Sequence, residues 1–215
     1  DKQNERPSMS LLNPKNPPQG FQDLISHDRV ALGMWISMSD PTCAEIAAAV
    51  GFEWVLIDME HTTNGLDTVL HLCRSIGSSQ TQVIVRPPSN NHETIKRLLD
   101  ASVRTLLIPF IQSAKDAEQA IHNTLYPPNG VRGFTSTSRA NTYGLNTDYL
   151  KEADQNIKVI VQIETKRAFE EAEQILKVQH LGGVFVGIAD LAMDLGLPGQ
   201  ATHPEVIRMA KHISR

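Results

Sequence analysis

Aromatic side chains make up only 5% of these 215 residues, cysteine occurs twice, and the apolar runs are short. Each scarcity excludes something. Runs such as Ala47–Val50 and Trp54–Ile57 fall far below the ~18 residues that a membrane helix needs, so no membrane is expected as a partner. Cys43 and Cys73 both sit in helical patterns and are too few for a disulfide framework, which fits a reducing, cytoplasmic setting. No long basic cluster is present, the net charge is −4 and the pI is near 6.1, so nucleic acid is not an expected partner and a small molecule is.

The remaining composition, 40% apolar and 20% charged in 23.8 kDa, is that of one soluble domain. Residues 1–19 are polar and punctuated by Pro7, Pro14, Pro17 and Pro18, without the apolar core of a signal peptide. They read as a flexible tail or an appended remnant, with Met9 a candidate start. A single domain is expected over residues 20–215. Its last residues, His212–Arg215, stop inside a helical pattern without a glycine or proline terminator, so the domain reads as C-terminally incomplete.

Short β-branched runs alternate with amphipathic helical patterns throughout, the signature of a parallel α/β fold. Seven runs qualify, starting near Val30, Trp54, Val83, Thr105, Val131, Val159 and Val184, about 26 residues apart. The first strand-to-helix turn, Trp35–Pro41, contains no glycine and cannot be a GxGxxG phosphate turn. Polar residues instead gather at the C-terminal ends of several runs, where a barrel keeps its chemistry. The expected fold is therefore a (β/α)8 TIM barrel whose eighth β/α unit is absent from this chain.

Period-two alternation puts Gln162 and Glu164 on one face of the Val159 strand, pointing inward. One repeat later the next strand ends at Asp190. Either acid alone reads equally well as a helix-terminal residue, Glu164 in a first turn and Asp190 as a cap. Jointly, at equivalent places on neighbouring strands, two hard oxygen donors point to Mg²⁺ or Mn²⁺. His61 follows a hydrophobic strand directly, in Asp58-Met59-Glu60-His61, and can move protons near neutral pH. Arg86 ends the third run. It is either a cation for a developing enolate oxygen or a structural partner of Asp58 or Glu60.

At these residues the chain resembles the HpcH/HpaI aldolases, class II pyruvate aldolases of the phosphoenolpyruvate/pyruvate superfamily, which include 4-hydroxy-2-oxoheptanedioate and 2-dehydro-3-deoxyglucarate aldolases. The resemblance runs from about Gly20 to the end. Its motifs are DMEH (Asp58–His61), VRPP (Val85–Pro88), IKRLLDA (Ile95–Ala101), YPPNGVRG (Tyr126–Gly133), QIET (Gln162–Thr165) and the GxxDL of Gly187–Leu191.

The resemblance implies that Glu164 and Asp190 bind a divalent metal, Mg²⁺, Mn²⁺ or Co²⁺, with Gln162 beside the pyruvate moiety. It makes His61 the general base, held by Asp100, and gives Arg86 the enolate. Amides of Gly187 and Ala189 would grip the pyruvate carboxylate, Asp58 and Glu60 would stand behind the site, and Arg139 would lie near the aldehyde end of the substrate. It also implies a homo-oligomer, a trimer of dimers, cleaving a 4-hydroxy-2-oxo acid to pyruvate and an aldehyde. Ser102 stands where the family usually has glycine, Ile188 where proline is common, and Phe134–Ser138 is poorer in glycine than usual. These departures are expected at the carboxylate-binding turn and the substrate rim. The rival readings are a citrate lyase-like acyl-CoA lyase, a non-catalytic or incomplete paralogue kept for assembly, and a Schiff-base aldolase, for which Lys158 and Lys166 are badly placed.

Overall fold

The structure, a computed structural model, describes residues 20, 21, 24, 30–77 and 79–213; the expected tail over residues 1–19 lies outside them. Six strands form one parallel sheet in sequential order: β1 (Gly33–Ile36), β2 (Trp54–Asp58), β3 (Gln82–Arg86), β4 (Thr105–Ile108), β5 (Lys158–Ile163) and β6 (Leu181–Val186). The helices are α1 (Pro41–Val50), α2 (Leu66–Ile76), α3 (His92–Asp100), α4 (Ala114–His122), α5 (Tyr149–Asn156), α6 (Lys166–Glu170), α7 (Ala172–Leu176), α8 (Ile188–Asp194) and α9 (Pro204–Ile213). None of them is long and apolar enough to cross a membrane.

The local reasons are legible. Asp40 caps α1 by accepting from the Thr42 N–H, with Pro41 at the first helical position, and Asn91, Ser113 and Thr165 cap α3, α4 and α6 in the same way. Strand alternation sorts the apolar residues into two layers. Val55, Ile57, Val85, Leu106, Ile108, Val159, Val161 and Ile163 pack against the helices, whereas Leu56, Ile84, Leu107 and Ile160 form a separate inner cluster. The sheet curls enough that Trp35 on β1 and Phe185 on β6, the two outermost strands, bring their ring centroids to 5.8 Å.

This is barrel architecture with six strands among the described residues, one fewer than expected. The run at Val131 is not a strand. Pro127 and Pro128, joined by a cis peptide bond, and the Asn129-Gly130 turn fold it back onto α4, where the Val131 N–H bonds the His122 carbonyl at 3.1 Å and the Arg132 N–H bonds the Leu125 carbonyl at 2.9 Å. A side chain at Gly130 would collide with both of those carbonyls, so glycine permits the close approach. Once those amides serve the turn, none is left for a ladder. The spacing from β4 to β5 is accordingly about twice that of the other units.

Candidate active site

Parallel register makes Asp58 and Arg86 partners at the C-terminal ends of β2 and β3. Arg86 is buried and donates from Nε to Asp58 Oδ1 at 2.8 Å and from Nη2 to Oδ2 at 2.9 Å, a two-pronged pair. Its Nη1 reaches Gln162 Oε1 at 3.3 Å and lies 3.0 Å from Glu60 Oε2. The guanidinium also stacks 4.6 Å over the Trp35 ring. Burial alone would raise the Asp58 carboxyl, but the Arg86 and Glu60 hydrogen bonds outweigh it and hold the group below its ordinary 3.8.

Gln162 and Glu164 are both buried at the end of β5, as alternation requires. Glu164 is held on both oxygens: Oε1 accepts from the Phe110 backbone N–H at 2.8 Å, and Oε2 accepts from Gln162 Nε2. The residue precedes Thr165, the cap of α6, so it is not a first-turn acid of that helix. Gly187, at the end of β6, lies against this pair. A Cβ there would come within 2.8 Å of Glu164 Cβ and 3.1 Å of Gln162 Nε2. Its own N–H is committed to Ile163 O at 3.0 Å. The amides of Ile188, Ala189 and Asp190 lie in the first turn of α8, upstream of its first bond from Leu191 N–H to Gly187 O. Asp190 is inside that turn and exposed, and the cap position is Gly187.

Acids accumulate here faster than cations. Burial raises Glu164 above 4.5, partly offset by the Phe110 and Gln162 hydrogen bonds, and the charges of Asp190 and Glu60 raise it further. Burial likewise raises Glu60, against the pull of Arg86 and His61, with Asp58 and Asp190 pushing the same way as burial. Glu60 Oε2 is buried and receives no aligned hydrogen bond despite its nearness to Arg86. His61 stands at the rim with a side chain 64% exposed, its Nε2 3.7 Å from Glu60 Oε2.

Two residues expected at this mouth lie elsewhere in the chain. In a parallel sheet each crossover helix returns the chain to the N-terminal ends of the strands, so Asp100, the last residue of α3, sits at the opposite pole from His61. There it pairs with Arg132 Nη2 at 3.0 Å. Arg139 is at that pole too, donating to Ala101 O at 2.9 Å. Ser102 is another correction: it forms the left-handed turn that ends α3, with φ 73°, rather than any part of a carboxylate-binding turn. Phe134–Ser138 also lies away from the strand ends that carry Glu164.

The family model for HpcH/HpaI aldolase/citrate lyase matches residues 31–215. The chain belongs to the HpcH/HpaI aldolase/citrate lyase family. It is 42% identical over 187 residues to a 4-hydroxy-2-oxo-heptane-1,7-dioate aldolase of Shigella sonnei, covering 86% of this chain and 71% of that protein. It is 36% identical over 196 residues to a 5-keto-4-deoxy-D-glucarate aldolase of Escherichia coli O139:H28, covering 91% and 77%. A crystal structure of an HpcH/HpaI aldolase/citrate lyase family protein from Burkholderia cenocepacia superposes with a TM-score of 0.86 at 36% identity, over 89% of this chain and 77% of that one.

Among the described residues no three His, Cys, Asp or Glu side chains converge into a coordination shell. A hard divalent cation nonetheless fits the donor chemistry. The orphaned Glu60 oxygen and the mutually repelling Glu60, Glu164 and Asp190 leave the pocket short of positive charge. Two participants, Trp35 and Phe110, are not among the residues singled out from the sequence. Trp35 was within reach of it, because alternation along β1 turns Trp35 inward. Phe110 carries no sequence signal, because its part depends on a backbone dihedral.

Proposed function

We propose that this chain is a divalent-metal-dependent aldolase that cleaves a 4-hydroxy-2-oxo acid to pyruvate and an aldehyde, reversibly, through a pyruvate enolate. The observation that carries the reading is Glu164, with both oxygens fixed by neighbouring donors and repelled by Asp190, at the C-terminal ends of adjacent parallel strands. Glu164 and Asp190 would hold Mg²⁺ or Mn²⁺, with the remaining positions left to substrate oxygens and water. When bound, the metal acts as a Lewis acid and a template for the 2-oxo acid.

Gln162 and the first amides of α8, Ala189 among them, orient the pyruvate end. The Gly187 contribution is its missing side chain, which leaves room beside Glu164. His61 takes the C4 hydroxyl proton, through a water, as the C3–C4 bond breaks and the aldehyde leaves. Arg86, immobilised by Asp58 and Trp35, donates to the enolate oxygen as charge develops there. Protonation at C3 gives pyruvate. Asp58 and Glu60 fix and balance this cation. Asp100 and Arg139 are at the far pole, so their roles at the mouth require a second copy of the chain. That fits a homo-oligomer, a trimer of dimers on the family's pattern. A cytoplasmic setting suits the two free thiols.

Among the described residues, Schiff-base chemistry has no suitable lysine in this mouth. Lys158 Nζ donates to Gln155 O at the start of β5, and Lys166 lies exposed beside Glu170. The decisive assay couples pyruvate release to lactate dehydrogenase over several 4-hydroxy-2-oxo acids. EDTA should abolish the activity and Mg²⁺, Mn²⁺ or Co²⁺ should restore it. Equal rates for the wild type and Glu164→Ala would overturn the reading, as would borohydride trapping of a pyruvate–lysine adduct.

A further inference from the structure

Phe110 is unusual three times over. It follows β4 at φ 55°, a left-handed backbone that a bulky side chain adopts only under strain. The residue is 61% exposed, so burial does not repay that strain. And its N–H is the donor that holds Glu164 Oε1 at 2.8 Å. A glycine would supply the same N–H without strain, so neither stability nor the hydrogen bond accounts for the aromatic ring. Strain and exposed apolar surface together at a strand's C-terminal end mark a residue kept for what its side chain meets.

Covalent geometry limits where that ring lies. Its centroid is within about 5 Å of its own backbone nitrogen, which places it no farther than roughly 8 Å from Glu164 Oε1. A five- or six-carbon oxo acid held at Glu164 has its distal carbons within that radius.

Resting on the reading of the site given above, we propose that Phe110 is a specificity-determining residue. Its ring forms an apolar wall at the barrel mouth for the aldehyde-derived half of the substrate, while its left-handed backbone positions Glu164. The favoured aldehyde therefore carries an apolar or aromatic group at this wall.

The test is aldol addition of pyruvate to butanal and to glycolaldehyde by the wild type, Phe110→Ala, Phe110→Gly and Phe110→Tyr, with Mn²⁺ affinity measured by calorimetry. Phe110→Ala should lower kcat/KM for butanal at least fivefold relative to glycolaldehyde, chiefly through KM, and keep the KM for pyruvate within twofold. Phe110→Tyr should keep the wild-type preference. Phe110→Gly should lose the preference like the alanine variant and keep Mn²⁺ affinity within twofold, because glycine supplies the same N–H to Glu164 without strain. An active wild type whose butanal-to-glycolaldehyde ratio is unchanged in Phe110→Ala overturns this inference alone. So does a change of oligomeric state at constant ratio, which would make the ring a contact between copies. A wild type with no metal-dependent addition overturns the reading of the site and this inference with it.

Discussion

Asp58 and Arg86 face each other across adjacent parallel strands as register partners, and the guanidinium grips both carboxylate oxygens at 2.8 and 2.9 Å. The pair fixes a permanent cation at the mouth of the barrel beside Gln162 and Glu60.

Removing Asp58 leaves Arg86 buried without its two-pronged partner, with only Glu60 and Gln162 on its Nη1 side. Asp58→Asn should therefore cost about 3–5 kcal/mol in urea unfolding. Arg86→Lys keeps the charge but loses the planar fork, so kcat should fall more than stability does. The pH dependence has a definite sign. Asp58 is depressed in the folded protein, so its contribution is fully present above 3.8 and disappears as pH falls through its lower folded value. Wild-type unfolding followed from pH 6 to pH 2 should show that loss, and Asp58→Asn should not.

Glu164 and Glu60 shift the opposite way. Both are raised, so protons compete with a cation while the pH is still above 4.5. Mn²⁺ affinity by calorimetry should weaken on acidification from pH 7 before ordinary carboxylates titrate, and Glu164→Gln should weaken it on the order of a hundredfold at pH 7.5. An affinity that stays flat until the pH reaches 4.5 would show that neither acid takes part.

His61 is 64% exposed and approaches the buried Glu60 oxygen only at 3.7 Å, so His61→Ala should leave Tm within a degree or two and change Mn²⁺ affinity little. Its effect belongs in the proton transfer, with kcat falling roughly 10²–10⁴-fold.

Gly187→Ala forces a methyl against Glu164 and Gln162, both held by further bonds. Metal affinity and kcat should both drop, with a Tm loss consistent with about 1–3 kcal/mol of overpacking. Unchanged kinetics would mean that the end of β6 can yield.

Ser102 pays for its left-handed turn at the end of α3, where glycine is the favoured residue. Ser102→Gly should raise stability by about 1 kcal/mol. Because glycine adopts the same left-handed turn, Asp100 and Ala101 keep their places, and kcat and KM should not change.

Much of the site was legible because it depends on local periodicity. Two-residue alternation in Gln162-Ile163-Glu164 suffices to turn both polar side chains inward, and Asp58, Glu60, His61 and Arg86 stand where hydrophobic strands end. The same reasoning misplaced the Val131 run. Its β-branched composition is strand-like, but the preceding Pro127–Gly130 turn commits its amides to α4. The pairing of Asp100 with His61 came from the family resemblance and not from periodicity, and a motif does not show at which pole of the barrel, or in which copy, a residue lies.

The sequence by itself therefore determined the alternation of strands and helices, the acids and the histidine at the strand ends, and the family. Only the tertiary structure decided that Asp58 and Arg86 share a register, that Asp100 pairs with Arg132 at the far pole of its own chain, and that Phe110 turns left-handed to hold Glu164. The physical reason is range. Periodicity and capping act within a few residues, whereas register, the pole reached by a crossover helix and a strained dihedral are fixed by packing among elements far apart in the chain.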